Sequence, residues 1–250
     1  MEKENINILT KRFTELSQKS VYEYTPAFTD FLDLSEQSLL SSLRFPSKYT
    51  FFGGYNDAER KMACFYDEDY LYSPIEYPAV WLHIAPSAPK FAQELSHRDF
   101  LGALMNLGLK RSVFGDLLIH DNSCYVYVCE NISNYVTENL ESVSRTKVKC
   151  TPVDSLPSFA QAQPEEMTVI APSNRIDALI SSVFNVSRSD SISLISSGKV
   201  FINSTEVTQN HKTLAENDII SVRGLGRFVF ISVSDTTTRS GKLRVTVKKY

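Results

Sequence analysis

The chain has 250 residues, of which 42% are hydrophobic and 22% charged, the composition of a soluble globular protein with one to three domains. No apolar run approaches the roughly 20 residues that a membrane-spanning helix needs, and the polar, acidic N-terminus does not resemble a signal peptide. The four cysteines include no CxxC pair. We therefore expect reduced thiols in a cytoplasmic protein with no membrane partner, no metal site and no cofactor.

The charge is distributed unevenly along the chain. Residues 1–173 hold 15 Lys and Arg against 23 Asp and Glu, whereas residues 174–250 hold 11 against 6. An acidic body with a basic C-terminal part indicates a local surface for a polyanion.

The N-terminal region, residues 1–75, is predicted to be helical with short strands. Apolar residues recur at helical spacing over residues 5–19. Thr25-Pro26 is typical of a helix start, with an N-cap followed by proline, and leucines and phenylalanines continue up to residue 46. Residues 49–52 form a predicted strand that ends at Gly53-Gly54.

The middle of the chain, residues 76–154, alternates strand and helix patterns. Strands are predicted over 79–85, 113–120, 123–129 and 146–153, and helices over 96–107 and 132–143. The order β-α-β-β-α-β is the ferredoxin-like arrangement shared with RRM domains. The usual RRM aromatic signature is absent; Tyr125 and Tyr127 could stack on bases, although packing is the more common role of such residues.

A polar, proline-containing linker is predicted over 155–166, before a C-terminal domain over 167–250. Apolar residues over 175–184 form one stripe of a helix. Ser187 fits the N-cap of a second helix, with Asp190 at capping-box spacing, and Gly198 fits its left-handed end. Residues 199–203 alternate as a half-buried strand. Hydroxyls and cations at this helix corner suit contacts to phosphates.

Several segments of this C-terminal domain resemble the RNA-binding domain named after small-subunit ribosomal protein S-four. These are residues 175–179, 187–189, 195–200, 202–203 and 218–222. Together with residues 221–228, 52–61 and 97–111, they make the chain similar to the bacterial YlmH family from about residue 45 onward. The resemblance implies an α+β protein with a helical N-terminal region, a ferredoxin-like or RRM-like middle domain and a C-terminal S-four-like RNA-binding domain.

The family implies a non-catalytic protein that binds structured RNA, with large-subunit ribosomal RNA as the expected partner and tRNA as a further candidate. Similar proteins are associated with the large ribosomal subunit and with the rescue of stalled nascent chains. We expect the free protein to be a monomer. The pattern assigns RNA contacts to Arg175, Ser187, Arg188, Ser189, Lys199, Asn203, Lys212, Arg223 and Arg227. A second RNA surface is predicted at His97, Arg98, Lys110 and Arg111.

Two other functions remain open at this stage. An RNA-modifying enzyme is disfavoured, because Gly224-Leu-Gly226 lacks the third glycine of a nucleotide loop and no Rossmann unit surrounds it. His97-Arg98-Asp99 mimics a kinase triplet without the accompanying motifs. A protein-interaction role in cell division, with the acidic N-terminal part as the contact surface, is the second alternative.

Overall fold

The computed structural model describes residues 3–70, 74–158, 164–234 and 236–250. The chain divides into two compact units, residues 1–161 and 162–250. Helices and antiparallel sheets occur in both units, which confirms the predicted α+β class. The predicted linker falls partly outside the described residues, at 159–163, and the predicted division at residue 75 stays a prediction.

The first unit begins with a three-stranded antiparallel sheet and two helices, with strand order β1-β3-β2. The elements are α1 (Lys3–Glu23), β1 (Ala27–Leu32), α2 (Leu34–Ser42), β2 (Lys48–Phe52) and β3 (Lys61–Tyr66). Buried apolar residues from both helices and the sheet form its core, including Phe13, Leu40 and Phe65. The prediction of a long helix at the N-terminus is confirmed, and this helix continues to Glu23.

The helix start predicted at Thr25-Pro26 is wrong, because a strand begins at Ala27 and the second helix begins only after Asp33. The Asp33 carboxylate accepts hydrogen bonds from the backbone N–H groups of Ser35 and Glu36. The Glu36 carboxylate accepts from the Asp33 N–H in return. This capping box satisfies the donors at the helix N-terminus and fixes the start there, while Ala27–Leu32 pairs with β3.

The middle of the chain forms the predicted β-α-β-β-α-β sequence with one added two-residue strand at Ser142–Val143, where the second helix was predicted to continue. The elements are β4 (Ala79–Pro86), α3 (His97–Met105), β5 (Phe114–His120), β6 (Ser123–Cys129), α4 (Glu130–Asn139), β7 (Ser142–Val143) and β8 (Thr146–Val153). The strand order is β5-β6-β4-β8-β7. Strand β6 lies between β4 and β5, and β8 pairs with the other edge of β4. This is the strand order of a ferredoxin-like sheet.

The two faces of this five-stranded sheet are covered differently. Leu82, Val126 and Val128 face α3 and α4 in one core cluster. The opposite face, where an RRM domain would stack bases, carries Tyr125 and Tyr127, each only 6% exposed. The N-terminal region covers this face with Phe31 and Met62, among others. Of the two roles considered for the tyrosines, packing is therefore the one observed.

The N-terminal region approaches the five-stranded sheet closely at Gly115. A Cβ added there would lie 3.0 Å from Cε1 of Phe31 and 3.2 Å from the Tyr127 carbonyl oxygen. A side chain there would push the N-terminal region away from the sheet.

The second unit is one antiparallel six-stranded sheet with two helices, in the order β11-β10-β12-β13-β14-β9. Its elements are β9 (Glu165–Ala171), α5 (Ile176–Phe184), α6 (Arg188–Ser196), β10 (Val200–Ile202), β11 (Thr205–Glu206), β12 (Ile219–Val222), β13 (Gly226–Val233) and β14 (Leu243–Lys249). The apolar stripe of α5 packs on one face of the sheet in a single core cluster.

The local predictions around α6 are mostly confirmed. Ser187 is the N-cap of α6, and Gly198 follows the helix with φ +66°. Phe201, expected on the exposed side of a half-buried strand, is fully buried. Strand β9 was not predicted, although it pairs with β14 along its whole length.

Candidate nucleic-acid interface

A buried carboxylate organises the junction of α5 and α6. The Asp177 side chain is 0% exposed and lies in the first turn of α5. Its two oxygens accept hydrogen bonds from Nε and Nη2 of Arg175, both at 3.1 Å. Oδ2 also accepts from Nε and Nη2 of Arg188, at 3.1 and 3.0 Å. One carboxylate therefore holds two guanidinium groups in fixed orientations.

The two guanidinium groups remain open to a ligand although they share this carboxylate. The side chains of Arg175 and Arg188 are 37% and 51% exposed. A guanidinium has five N–H donors, and the described contacts of each arginine with Asp177 involve only Nε and Nη2. Two positive charges on one carboxylate leave an excess of positive charge at this position, which suits an anion such as a phosphate group.

Ser187 and Ser189 lie at the same helix end. The Ser187 hydroxyl accepts from the backbone N–H of Asp190 at 3.0 Å and donates to the Asp190 carboxylate at 2.6 Å. Its oxygen also lies 2.7 Å from that of Ser189. The Asp190 carboxylate thus contacts the N-cap hydroxyl, whereas a complete capping box would use the N-cap backbone N–H.

The segment around Lys212 joins this group through the backbone. The Lys212 carbonyl oxygen accepts from the Ile176 N–H at 2.9 Å, and Arg175 forms an isolated antiparallel bridge with Thr213. Lys212 is exposed. We call the set of Arg175, Asp177, Ser187, Arg188, Ser189 and Lys212 the arginine corner.

Lys199, Arg223 and Arg227 lie elsewhere in the second unit. Arg188 is the first residue of α6, which is 9 residues long, and Lys199 lies beyond the other end of the helix. The two residues are therefore about 14 Å apart along the helix axis. Phe201, Ser221 and Arg227 are paired across β10, β12 and β13, so their side chains point to one face of the sheet.

That face is the one away from the helices, because the neighbouring Val200 and Val222 point into the helix-covered core. Lys199 and Arg223 are two residues from Phe201 and Ser221, and the Arg223 N–H donates to the Lys199 carbonyl at 2.9 Å. We call Lys199, Arg223 and Arg227 the outer-face cations. The family resemblance assigned Lys199 to the same RNA-facing corner as Arg175 and Arg188, with Arg223 and Arg227 as an extension of it. The structure divides these residues between two surfaces.

Aromatic rings hold two of the outer-face cations. The Arg223 guanidinium lies 5.2 Å from the centroid of the Phe201 ring, and the Arg227 guanidinium lies 3.9 Å from that of Tyr250. On the helix side, Lys249 lies 5.2 Å from the ring of Phe184. Such stacking restricts the orientation of the cation. Neither Tyr250 nor Lys249 was predicted from the sequence to contact RNA.

Asn203 has a structural role at the turn between β10 and β11. Asn203 and Ser204 both have positive φ, 49° and 64°, as a two-residue type I′ hairpin requires. The Asn203 side chain donates to the Asp218 carboxylate at 2.8 Å and accepts from the Ile219 N–H at 2.9 Å. Both ends of its amide are thus engaged within the protein.

The second surface predicted in the middle domain is divided as well. His97, Arg98 and Lys110 are exposed. Arg111 instead points inward, where it donates to the carbonyl oxygens of Phe114 and Gly115 at 2.5 and 3.0 Å. Burial and the nearby Arg60 lower the pKa of Arg111 to about 10.

Arg111 also affects its predicted neighbour. Partial burial, and secondarily the positive charge of Arg111, lower the pKa of His97. His97 is therefore a weaker source of positive charge at neutral pH than the sequence indicated.

In the part of the chain that the structure describes, no three His, Cys, Asp or Glu side chains are grouped so as to hold a metal ion. Among the described helices, none is long and apolar enough to cross a membrane.

Comparisons with known proteins identify the family. Residues 76–156 match the domain family described as "Putative RNA-binding domain in YlmH". The chain is 30% identical over 230 residues to the Bacillus subtilis (strain 168) protein named ribosome-associated protein quality control protein P2, covering 91% of this chain and 88% of that protein. The chain belongs to the YlmH family.

A solved structure has a similar fold. The cell division protein ylmH from Streptococcus pneumoniae superposes with a TM-score of 0.51 at 21% sequence identity, covering 65% of this chain and 97% of that one. The similarity supports the mixed helix and sheet fold described above.

Proposed function

We propose that the protein is a non-catalytic, cytoplasmic RNA-binding factor that acts on the ribosome. The observation that carries the proposal is the arginine corner, where the fully buried Asp177 orients Arg175 and Arg188 beside the N-terminus of α6. Oriented guanidinium groups bind phosphates bidentately at a lower entropic cost than mobile side chains do. The match of residues 76–156 to an RNA-binding domain family supports RNA as the polyanion.

The C-terminal unit supplies the main RNA contacts in this proposal, as an S-four-like domain. Support comes from its two successive helices, the Ser187 cap and the hairpin that follows Gly198. The arginine corner orients the unit on a folded RNA, and the outer-face cations contact a second phosphate segment. Shape and phosphate contacts, more than base edges, would then determine which RNA helix is bound.

The partner we propose is large-subunit ribosomal RNA, with tRNA as a second RNA in the same complex. The name of the Bacillus subtilis relative links that protein to ribosome-associated quality control, and sequence identity across most of both chains favours a shared role. His97, Arg98 and Lys110 form a reduced second surface, without Arg111.

Ultraviolet crosslinking in cells, followed by sequencing of the bound RNA, tests this proposal. We expect crosslinks concentrated in a few segments of large-subunit ribosomal RNA. They should be depleted in the Arg175→Gln/Arg188→Gln variant and kept in a Lys11→Gln/Lys19→Gln control, which changes two exposed lysines of α1. Recovery of cell-division proteins without RNA would overturn the proposal and favour an interaction role instead.

A further inference from the structure

An aromatic pocket lies where the N-terminal region meets the sheet of the middle domain. Its volume is about 650 Å³, within the range of pockets that bind small ligands. The indole ring of Trp81 and the ring of Tyr127 lie side by side on the sheet face, with centroids 4.9 Å apart. Phe52, the last residue of β2, and Tyr55, in the segment that follows, form a wall.

The shape of the pocket depends on Gly54. Its φ is +93°, and an added Cβ would lie 2.7 Å from Cζ2 of Trp81 and 2.8 Å from Cδ1 of Tyr127. The backbone therefore contacts the two rings directly, which only glycine permits. The Tyr55 hydroxyl donates to the Asp116 carboxylate at 2.9 Å, so the Tyr55 ring is held in place. The aromatic surfaces are fixed before any ligand arrives.

The polar groups of the pocket complement these rings. Asn56 and Asp154 line it, and within the described residues neither side chain forms a hydrogen bond. An amide can donate and accept, whereas an ionised carboxylate only accepts. The lining includes no lysine or arginine, so a phosphate is disfavoured and a neutral ring with N–H donors fits.

We propose that this pocket binds one unpaired base of RNA, with guanine preferred. The base would stack on the wall formed by Phe52 and Tyr55, because the two rings of the pocket floor are only 5% and 6% exposed. Bases stack on aromatic side chains in this way in proteins that bind single-stranded nucleic acids. Asp154 would accept the adjacent ring and amino N–H groups of the guanine Watson–Crick edge, and Asn56 would contact the remaining edge atoms. The site rests on RNA being the partner and adds a contact that the arginine corner and the outer-face cations do not provide.

Trp81 is the chain's single tryptophan, so tryptophan fluorescence reports directly on ligand binding in the pocket. Tryptophan fluorescence of the full chain is titrated with the RNA pentamers UUGUU and UUUUU and with guanosine monophosphate. UUGUU should quench saturably and bind at least about tenfold more tightly than UUUUU, because a matched hydrogen-bonded edge contributes about 1–3 kcal/mol. It should also bind more tightly than the mononucleotide, since flanking residues add contacts.

Matched variants separate this site from the rest of the protein. Asp154→Asn and Asn56→Ala should each weaken UUGUU binding about fivefold or more, whereas Glu94→Gln, at an exposed position of the same unit, should not. Quenching of Trp81 and co-sedimentation with ribosomes are measured separately on the same wild-type protein, so that failure of ribosome binding and failure of this site give different results. Thermal unfolding confirms that each variant is folded.

Three outcomes would overturn the proposal. These are no saturable quenching by UUGUU, equal quenching in the Asp154→Asn variant, and binding of guanosine monophosphate as tight as that of the pentamer. The last result would assign the pocket to a free nucleotide instead of RNA.

Discussion

Arg188 donates two hydrogen bonds to Asp177 Oδ2, from Nε at 3.1 Å and from Nη2 at 3.0 Å. The pair joins the first residue of α6 to the first turn of α5. Because Asp177 also holds Arg175, the orientation of both guanidinium groups depends on one carboxylate. Asp177 is therefore a positioning residue for the proposed RNA surface, although it would repel the RNA itself.

Replacement of Asp177 by Asn should reduce both stability and RNA binding. The change keeps the size of the side chain but removes the charge that holds two arginines, so we expect a loss of about 1–3 kcal/mol in the free energy of unfolding. RNA affinity should fall even though the net charge becomes more positive. Urea unfolding and RNA titration measure the two effects. The matched control is Glu216→Gln, an exposed carboxylate of the same unit; tighter RNA binding by Asp177→Asn than by this control would contradict the positioning role.

The stacked pair of Arg227 and Tyr250 predicts two distinguishable effects. Arg227→Ala removes a phosphate contact and should lower the slope of log K against log salt by about 1. Tyr250→Leu keeps the cation but removes the ring 3.9 Å from it. This variant should lose about two- to fivefold in affinity, the equivalent of about 0.5–1 kcal/mol, with an unchanged slope. Equal slopes for wild type and Arg227→Ala would remove Arg227 from the interface.

Local patterns predicted the elements of the middle domain and the helix corner well. The spacing of apolar residues, the Ser187 cap and the Gly198 stop depend on neighbours in sequence. The helix start predicted at Thr25-Pro26 was wrong, because a proline after threonine also suits the start of a strand. The pairing of Ala27–Leu32 with β3 is a long-range contact that local patterns do not predict.

The arrangement of the site was less predictable, because it too depends on contacts between residues that are distant in the sequence. Asp177 looked like a polar residue beside an apolar stripe, and only the fold buries it between two arginines. The division of the cations between two surfaces follows from strand pairing, which fixes the face on which Arg223 and Arg227 lie. Arg111 was expected on the surface, but two backbone carbonyls bind it inside.

Asp116 should be important for the stability of the first unit. Its carboxylate accepts from the Tyr55 hydroxyl at 2.9 Å and from the N–H groups of Glu59 and Arg60 at 2.7 and 3.0 Å. Asp116→Ala leaves these donors without their partner, so we expect a loss of about 2–4 kcal/mol. Hydrogen exchange should increase at residues 55–60. Unchanged exchange there would contradict a role of Asp116 in holding the N-terminal region on the sheet.

The four cysteines should be unreactive in the folded protein. All four are buried; burial raises the pKa of Cys64 and Cys129 to about 12 and that of Cys150 to about 11. Burial also raises the pKa of Cys124. Because the thiolate is the reactive form, a disulfide reagent at pH 8 should modify none of them until denaturant is added. Rapid native modification would show that the core around one of them opens readily.

Co-sedimentation with ribosomes over a range of salt concentrations tests the central claim most directly. Wild-type protein should pellet with ribosomes at low salt and dissociate steeply as salt rises, because binding releases counterions from phosphates. Arg188→Glu/Lys199→Glu, which reverses one charge on each proposed surface, should bind more weakly and with a slope reduced by about 2. Lys11→Glu/Lys19→Glu on α1 should behave like wild type. Equal pelleting of the Arg188→Glu/Lys199→Glu variant and wild type at every salt concentration would contradict RNA binding through the C-terminal unit.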